Sequence, residues 1–382
     1  MDGPAFVQAT EVVRGPGALR EVRRIVDGPA FVVTDRGVAA AGHVARLGAQ
    51  LDAAGAPFSI YDAVRADPDE DAVEACLRAY GLAGRAAQVR WIVAIGGGSV
   101  IDTAKGCAML ACGGGRMADY VGRGRVDVSA PRLLAIPTTA GTGSETQSFA
   151  LIGNRDTGQK MACGGTAPAF ALLDAELTTT LPPFVTACTG LDTLTHAVEA
   201  MVTRRRSPAS CALAEEAFVL AERHLEVVLA APDDLDARAA MLHASALAGL
   251  AIENSMLGAA HSMANPLSRR FGVPHGQAVG QALPWVVAYN TADADARSGY
   301  AALARAAGLA GAQDDDLEAA RRLHGRLAAL VDRAGFGPHV DTAPAGAADE
   351  LAAEAATQWT AQFNPRDVDA AAFAGLYREL LA

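Results

Sequence analysis

One carboxylate and three imidazoles stand at spacings that suit a metal ion. Asp192 and His196 lie four apart in GLDTLTHAVEA, a run without proline, so on a helix they share one face. His261 and His275 follow in GAAHSMANPLSRRFGVPHG. The chain has 8 histidines in 382 residues, and three fall in this set. One oxygen and three nitrogens of this kind suit a divalent transition metal. Any one of these histidines alone reads as a packed or surface side chain. What lies upstream gives the set its weight.

A second chemistry is phosphate recognition. The apolar run RWIVAI leads into Gly96-Gly97-Gly98-Ser99 and then VIDTAKGCAML, which carries Asp102. Glycines let the backbone approach a ligand closely, and the following helix aims free N–H groups and its positive dipole end at the turn. After LLAI comes PTTAGTGSE, a block of glycines and small hydroxyls that includes Thr138, Thr139, Thr142 and Ser144. Such a block offers donors and a flat backbone to phosphate and ribose oxygens. Asp35 closes VVTDRG. A carboxylate there accepts from both ribose hydroxyls of an adenosine and repels a 2′-phosphate, although an ordinary turn would also account for it.

These groups need elements to hold them. Ala30–Thr34, Phe58–Tyr61, Arg90–Ile95 and Leu133–Ile136 are expected strands, and Val38–Ala54 and Asp69–Tyr80 are expected helices between them. Alternation of this kind predicts a parallel sheet with right-handed crossovers, and ligands gather at the carboxyl ends of its strands. Past Leu181-Pro182-Pro183 strand signals stop. Long Ala/Leu/Glu segments follow, among them Cys211–Ala230, Ala239–Ala251, Leu317–Ala334 and Ala370–Leu381. In Cys211–Ala230 the residues Leu213, Ala217, Leu220, His224 and Val227 trace an apolar stripe, so His224 reads as packed. The expected division is an α/β dinucleotide-binding domain over residues 1–180 and a helical metal-binding and substrate domain over residues 181–382.

Composition narrows the class. Hydrophobic content of 51% excludes a disordered chain, and a net charge of -11 argues against nucleic-acid or anionic-membrane partners. The six cysteines form no CxxC pair and read as reduced thiols. No basic leader opens the chain and no clean apolar run reaches about 18 residues, so a cytoplasmic protein is expected.

PTTAGTGSE, GGGSVID, GLDTLTHAVEA and the paired histidines ending in PHG, in this order and with FNPRDV near the end, resemble the iron-containing (group III) alcohol dehydrogenases, which have the dehydroquinate synthase-like fold. The resemblance implies a Rossmann-like α/β domain, an all-α domain, and an active site in the cleft between them. It implies a metal, usually Fe(II) and occasionally Zn(II), on Asp192, His196, His261 and His275. It implies dinucleotide contacts at Asp35, Gly97, Gly98, Ser99, Thr138, Thr139 and Thr142; Gly96, Asp102 and Ser144 flank these in the same motifs. Lys160 matches a lysine near the nicotinamide ribose. An Asp at position 35 goes with NAD and a Gly with NADP. Many members carry a second histidine four residues after the third ligand; Asn265 stands there instead, which puts a proton relay through that catalytic position in doubt. The implied activity is hydride transfer between nicotinamide and a small alcohol or carbonyl compound, in a homodimer or higher homo-oligomer. The rivals are a zinc polyol dehydrogenase of the glycerol type, a dehydroquinate synthase-like lyase, a metal-free reductase, and a non-enzymatic nucleotide-binding scaffold.

Overall fold

The computed structural model describes residues 6–86, 88–122 and 131–382. The chain separates into a unit of Gln8–Leu181 and a unit of Pro182–Ala382. The second unit also takes in Val7, whose backbone exchanges bonds of 2.7 and 3.0 Å with the Asn254 side chain.

In the first unit, among the described residues, six strands form one sheet: β1 (Glu11–Arg14), β2 (Ala30–Val33), β3 (Phe58–Tyr61), β4 (Trp91–Gly96), β5 (Arg132–Pro137) and β8 (Phe170–Leu173). Their order is β1-β8-β5-β4-β2-β3, and every pairing is parallel. β6 (Phe149–Gly153) and β7 (Lys160–Gly164) form a separate antiparallel pair. The helices are α1 (Val22–Ile25), α2 (Arg36–Ala40), α3 (His43–Ala53), α4 (Glu70–Ala86) and α5 (Gly98–Gly113).

The central strands are apolar throughout because both faces are covered. Val32, Trp91, Val93 and Ile95 pack with Leu47 and Leu51 of α3 on one face. Phe31, Val33, Ile92 and Ala94 pack with Cys76 of α4 and Ile101, Ala104 and Cys107 of α5 on the other. Residues that alternate along a strand point to opposite faces, so a continuous apolar run reads as two half-cores.

The second unit is helical: α6 (Pro183–Val202), α7 (Pro208–Ala230), α8 (Leu235–Glu253), α9 (Ala259–Phe271), α10 (His275–Asn290), α11 (Ala294–Ala306), α12 (Asp316–Arg333), α13 (Ala348–Ala355) and α14 (Ala370–Leu380). An α/β parallel-sheet region followed by a helical one is the expected fold class. α8 is long and apolar enough to cross a membrane, and 67% of its apolar window is buried within the protein.

Three expectations need correction. Val38–Ala54 is two helices, α2 and α3, broken at Gly42, whose φ of +83° is left-handed. β1, β6, β7 and β8 were not anticipated: each is only four or five residues long, and β1 and β6 are only half-buried. In α7 the buried face is Ala214, Ala217, Phe218, Ala221, Leu225 and Val228, while Val227 is 38% exposed and His224 only half-buried. Alanines carry little weight in an apolar count, and that shifted the expected stripe to the margin of the true one.

Candidate active site

In the helical unit α6 begins with Pro183 at its first turn and is buried along nearly all of its last 17 residues. Asp192 and His196 stand one turn apart on it, 3% and 4% exposed. His261 is the third residue of α9 and His275 the first of α10, the two helices being joined by Gly272-Val273-Pro274. α10 can come this close to α6 because position 276 is glycine: a Cβ there would sit 2.2 Å from the Cys188 carbonyl oxygen.

The four side chains converge on one carboxylate oxygen. Asp192 Oδ1 lies 3.4 Å from His196 Nε2, 3.6 Å from His261 Nε2 and 4.0 Å from His275 Nε2. One ligand atom each from Asp192, His261 and His275 falls within 4.8 Å of the others. The His196 and His261 rings stack at 4.8 Å, and His261 and His275 tilt at 5.5 Å. Donors that share an ion at roughly 2.0–2.2 Å must lie a few ångströms apart, as these do. Asp192 Oδ1 and His261 Nε2 are buried and make no hydrogen bond. A buried polar atom without a partner is costly, and two that face each other across a gap of ligand size fit a cation between them.

Electrostatics agree. Burial pushes the Asp192 carboxyl up, but the imidazoles, led by His196, hold it well below the usual carboxylate range. Burial alone would lower His261; Glu199 and Asp192 outweigh it and raise the ring to about 9. Glu199 was missed in the sequence. Its Oε2 lies 2.6 Å from His261 Nδ1, a contact that leaves Nε2 to face Asp192. Its signal was available: Glu199 is seven residues after Asp192 and three after His196, on the same face of α6.

Asn265 follows one turn after His261, and α9 runs on through Pro266 to Phe271, so Asn265 does not cap the helix. Its Nδ2 donates to Gln358 Oε1 at 3.0 Å.

In the sheet unit, Asp35, the glycine turn and the TTAGTGSE loop follow the adjacent strands β2, β4 and β5. Gly97 caps α5 with no side-chain acceptor, so the first N–H groups of this 16-residue helix are served by no cap. The two loops meet: a Cβ on Gly98 would lie 2.6 Å from Thr142 Cγ2. Ser99, Thr139 and Thr142 stay partly exposed, whereas Thr138 is buried. A glycine turn at an uncapped helix start, edged by hydroxyls, fits a diphosphate.

Other expected contact residues also have partners within the protein. Asp102 and Ser144 are buried and bonded to each other. Lys105 Nζ donates to Ser144 Oγ at 2.8 Å and to the Phe149 carbonyl at 2.7 Å. This triad locks the TTAGTGSE loop onto α5. Asp35 Oδ1 accepts from the Val38 N–H at 2.9 Å and caps α2. Lys160 Nζ pairs with Asp67 Oδ1 at 2.7 Å, and the Asp67 N–H donates to Ser99 Oγ at 3.3 Å. Asp67 was also missed. It precedes Pro68 yet takes a left-handed φ of +52°, a strained choice for a residue before proline.

Residues 9–175 match the family described as iron-containing alcohol dehydrogenase, and residues 186–381 match its C-terminal counterpart. The chain belongs to the iron-containing alcohol dehydrogenase family. Alcohol dehydrogenase 4 of Saccharomyces cerevisiae is 35% identical over 316 residues, 81% of each chain. A solved 1,3-propanediol oxidoreductase superposes with a TM-score of 0.91 at 30% identity, covering 98% of both chains. The sulfoacetaldehyde reductase of Bifidobacterium kashiwanohense, solved with NAD+, gives a TM-score of 0.86 at 27% identity over 99% of this chain and 98% of that one. As a member of the iron-containing alcohol dehydrogenases the protein is an oxidoreductase with a nicotinamide-type cofactor and a small-molecule substrate.

Proposed function

We propose that the protein interconverts a short primary alcohol and its aldehyde, with NAD(H) as the hydride carrier and Fe(II) held by Asp192, His196, His261 and His275. The observation that carries this reading is Asp192 Oδ1, buried and without a hydrogen bond, with three imidazole Nε2 atoms within 4.0 Å. The substrate class rests on relatives whose names specify alcohols, a diol and an aldehyde. An ion held by these four side chains would supply Lewis acidity toward the substrate oxygen, and a bound nicotinamide would supply or accept the hydride.

The protein's own residues set the conditions. Asp192 stays ionised across the neutral range, so it offers charge to the ion without first losing a proton. Glu199 fixes the orientation of the His261 ring. The α5 N-terminus and the hydroxyls of Ser99, Thr139 and Thr142 hold the diphosphate, and Asp35 favours NAD over NADP. Asn265, bonded to Gln358, does not relay a proton, because an amide neither gains nor loses one near neutral pH.

Fe(II) over Zn(II) is a matter of supply rather than affinity, since three imidazoles and a carboxylate bind zinc more tightly. The test is metal-free enzyme reloaded anaerobically with Fe(II) or Zn(II) and assayed on short alcohols and aldehydes with NAD(H) and NADP(H). Turnover that requires the ion and prefers NAD(H) is expected. Equal activity without any ion would sink the proposal.

A further inference from the structure

The FNPR segment near the chain's end lies far in sequence from the four histidine and aspartate positions, yet its asparagine reaches the helix that presents His261. α9 starts at Ala259 with Gly258 as its cap residue, and Gly258 supplies no side chain. The N–H groups at this end are taken up from a distance. Glu199 Oε2 accepts from the Gly258 N–H at 2.9 Å and Oε1 from the Ala260 N–H at 2.7 Å. Asn364 Oδ1 accepts from the Ala259 N–H between them, at 3.3 Å. Three consecutive donors are thus met by two side chains, 4% and 2% exposed.

Asn364 is itself held rigidly. Its Nδ2 donates to Asn290 Oδ1 at 2.8 Å and to the Arg366 carbonyl at 2.7 Å, while Asn290 Nδ2 donates back to Asn364 Oδ1 at 3.0 Å. Asn290 is the last residue of α10, the helix that His275 opens, and its Nδ2 also reaches the Tyr300 hydroxyl at 3.2 Å. Glu199 comes from α6, which carries Asp192 and His196. The two caps therefore tie α9 to both other helices of the set. There is no slack at the cap: a Cβ on Gly258 would meet Glu199 Oε1 at 3.1 Å and Asn364 Oδ1 at 3.2 Å.

The geometry points to Glu199 and Asn364 as a paired positioning device that sets the start of α9, and through it the aim of His261 Nε2, for metal capture. Glu199 acts on the ring and on the backbone; Asn364 acts on the backbone alone. Neither touches Asp192, His196 or His275 through the bonds described. The inference rests on the metal reading proposed above. A helix start whose N–H groups are satisfied in one arrangement leaves His261 one position, and groups that orient a metal-binding histidine typically matter by roughly 10–100-fold in metal affinity.

The experiment uses Co(II) on metal-free full-length protein, with wild type, Glu199→Gln, Asn364→Ala and Asn364→Asp. The readouts are the Co(II) dissociation constant, the visible absorption of bound Co(II), the NAD dissociation constant and the melting temperature without metal. Glu199→Gln and Asn364→Ala should weaken Co(II) by roughly tenfold or more and alter its spectrum, with NAD binding unchanged. Asn364→Asp keeps an acceptor for the Ala259 N–H but sets an oxygen against Asn290 Oδ1 and the Arg366 carbonyl, so it should weaken Co(II) as well. Co(II) affinity and spectrum equal to wild type in folded Glu199→Gln or Asn364→Ala would overturn the positioning role and leave the metal reading standing. A loss of affinity that only tracks a loss of folded protein would overturn it too, since that marks a general structural role. Wild type that binds no Co(II) would remove the metal reading and this inference with it.

Discussion

Asp35 caps a helix and, in the proposed reading, also sets cofactor choice, and a simple substitution confounds the two. Its Oδ1 caps α2 through the Val38 N–H, and its charge stands at the carboxyl end of β2. Removing the cap costs about 0.5–2 kcal/mol when alanine replaces it, and a few tenths with glycine. Removing the charge relieves repulsion of a 2′-phosphate. Serine separates the two, because its hydroxyl still caps while carrying no charge. Asp35→Ser and Asp35→Gly should both shift the NAD/NADP ratio of kcat/KM toward NADP by roughly tenfold or more, a lost charged hydrogen bond being worth about 1.5–3 kcal/mol. Melting temperature should hardly move in the serine variant. An unchanged ratio in both variants, by steady-state kinetics with each cofactor, would leave Asp35 as a cap only.

At the scale of elements, helix spacing decides the geometry around Asp192. Gly276 lies against the backbone of Cys188, and backbone cannot swing aside as a flexible side chain would. Gly276→Ala should push α10 off α6 and move His275 away from Asp192, at a packing cost of about 1–3 kcal/mol. Since a displacement of about 1 Å can cost 10²-fold, metal retention and kcat should fall by about two orders of magnitude while NAD affinity holds. Metal content after dialysis, with an NAD titration, checks this. Gly375→Ala on α14, where a Cβ meets nothing within 4 Å, is the control. Much of this scaffold was legible. β2, β4 and β5 announce themselves as apolar runs because both faces are covered, and Asp192 and His196 announce their shared face by spacing. Partners set by tertiary approach were not. Glu199 sits inside the most informative motif, but its role depends on His261, 62 positions away. The pairing of Asp67 with Lys160 depends on a hairpin whose strands gave no clear signal.

For the whole molecule, the two proposed ligands fall in different units, and their effects on stability should differ in pH dependence. His261 is raised to about 9 in the metal-free fold, against about 6.5 in an unfolded chain. A group raised in this way gives stability that is complete below about pH 6.5 and is lost as pH rises through about 9. In the proposed site an ion on Nε2 would displace that proton. The ion therefore competes with a proton at low pH and meets an emptier site at high pH. Stabilisation by a ligand grows as RT ln(1 + [L]/Kd), about 2.7 kcal/mol at 100 times Kd. At fixed free Zn(II), the rise in melting temperature should be larger near pH ~8.5 than near pH ~6. The diphosphate cradle, with no such imidazole among its candidate contacts, should give an NAD-dependent rise that lacks this slope. Calorimetric scans with each ligand separately at the two pH values test the pair of expectations. A Zn(II) increment that is flat across that range would overturn displacement of a His261 proton by the ion.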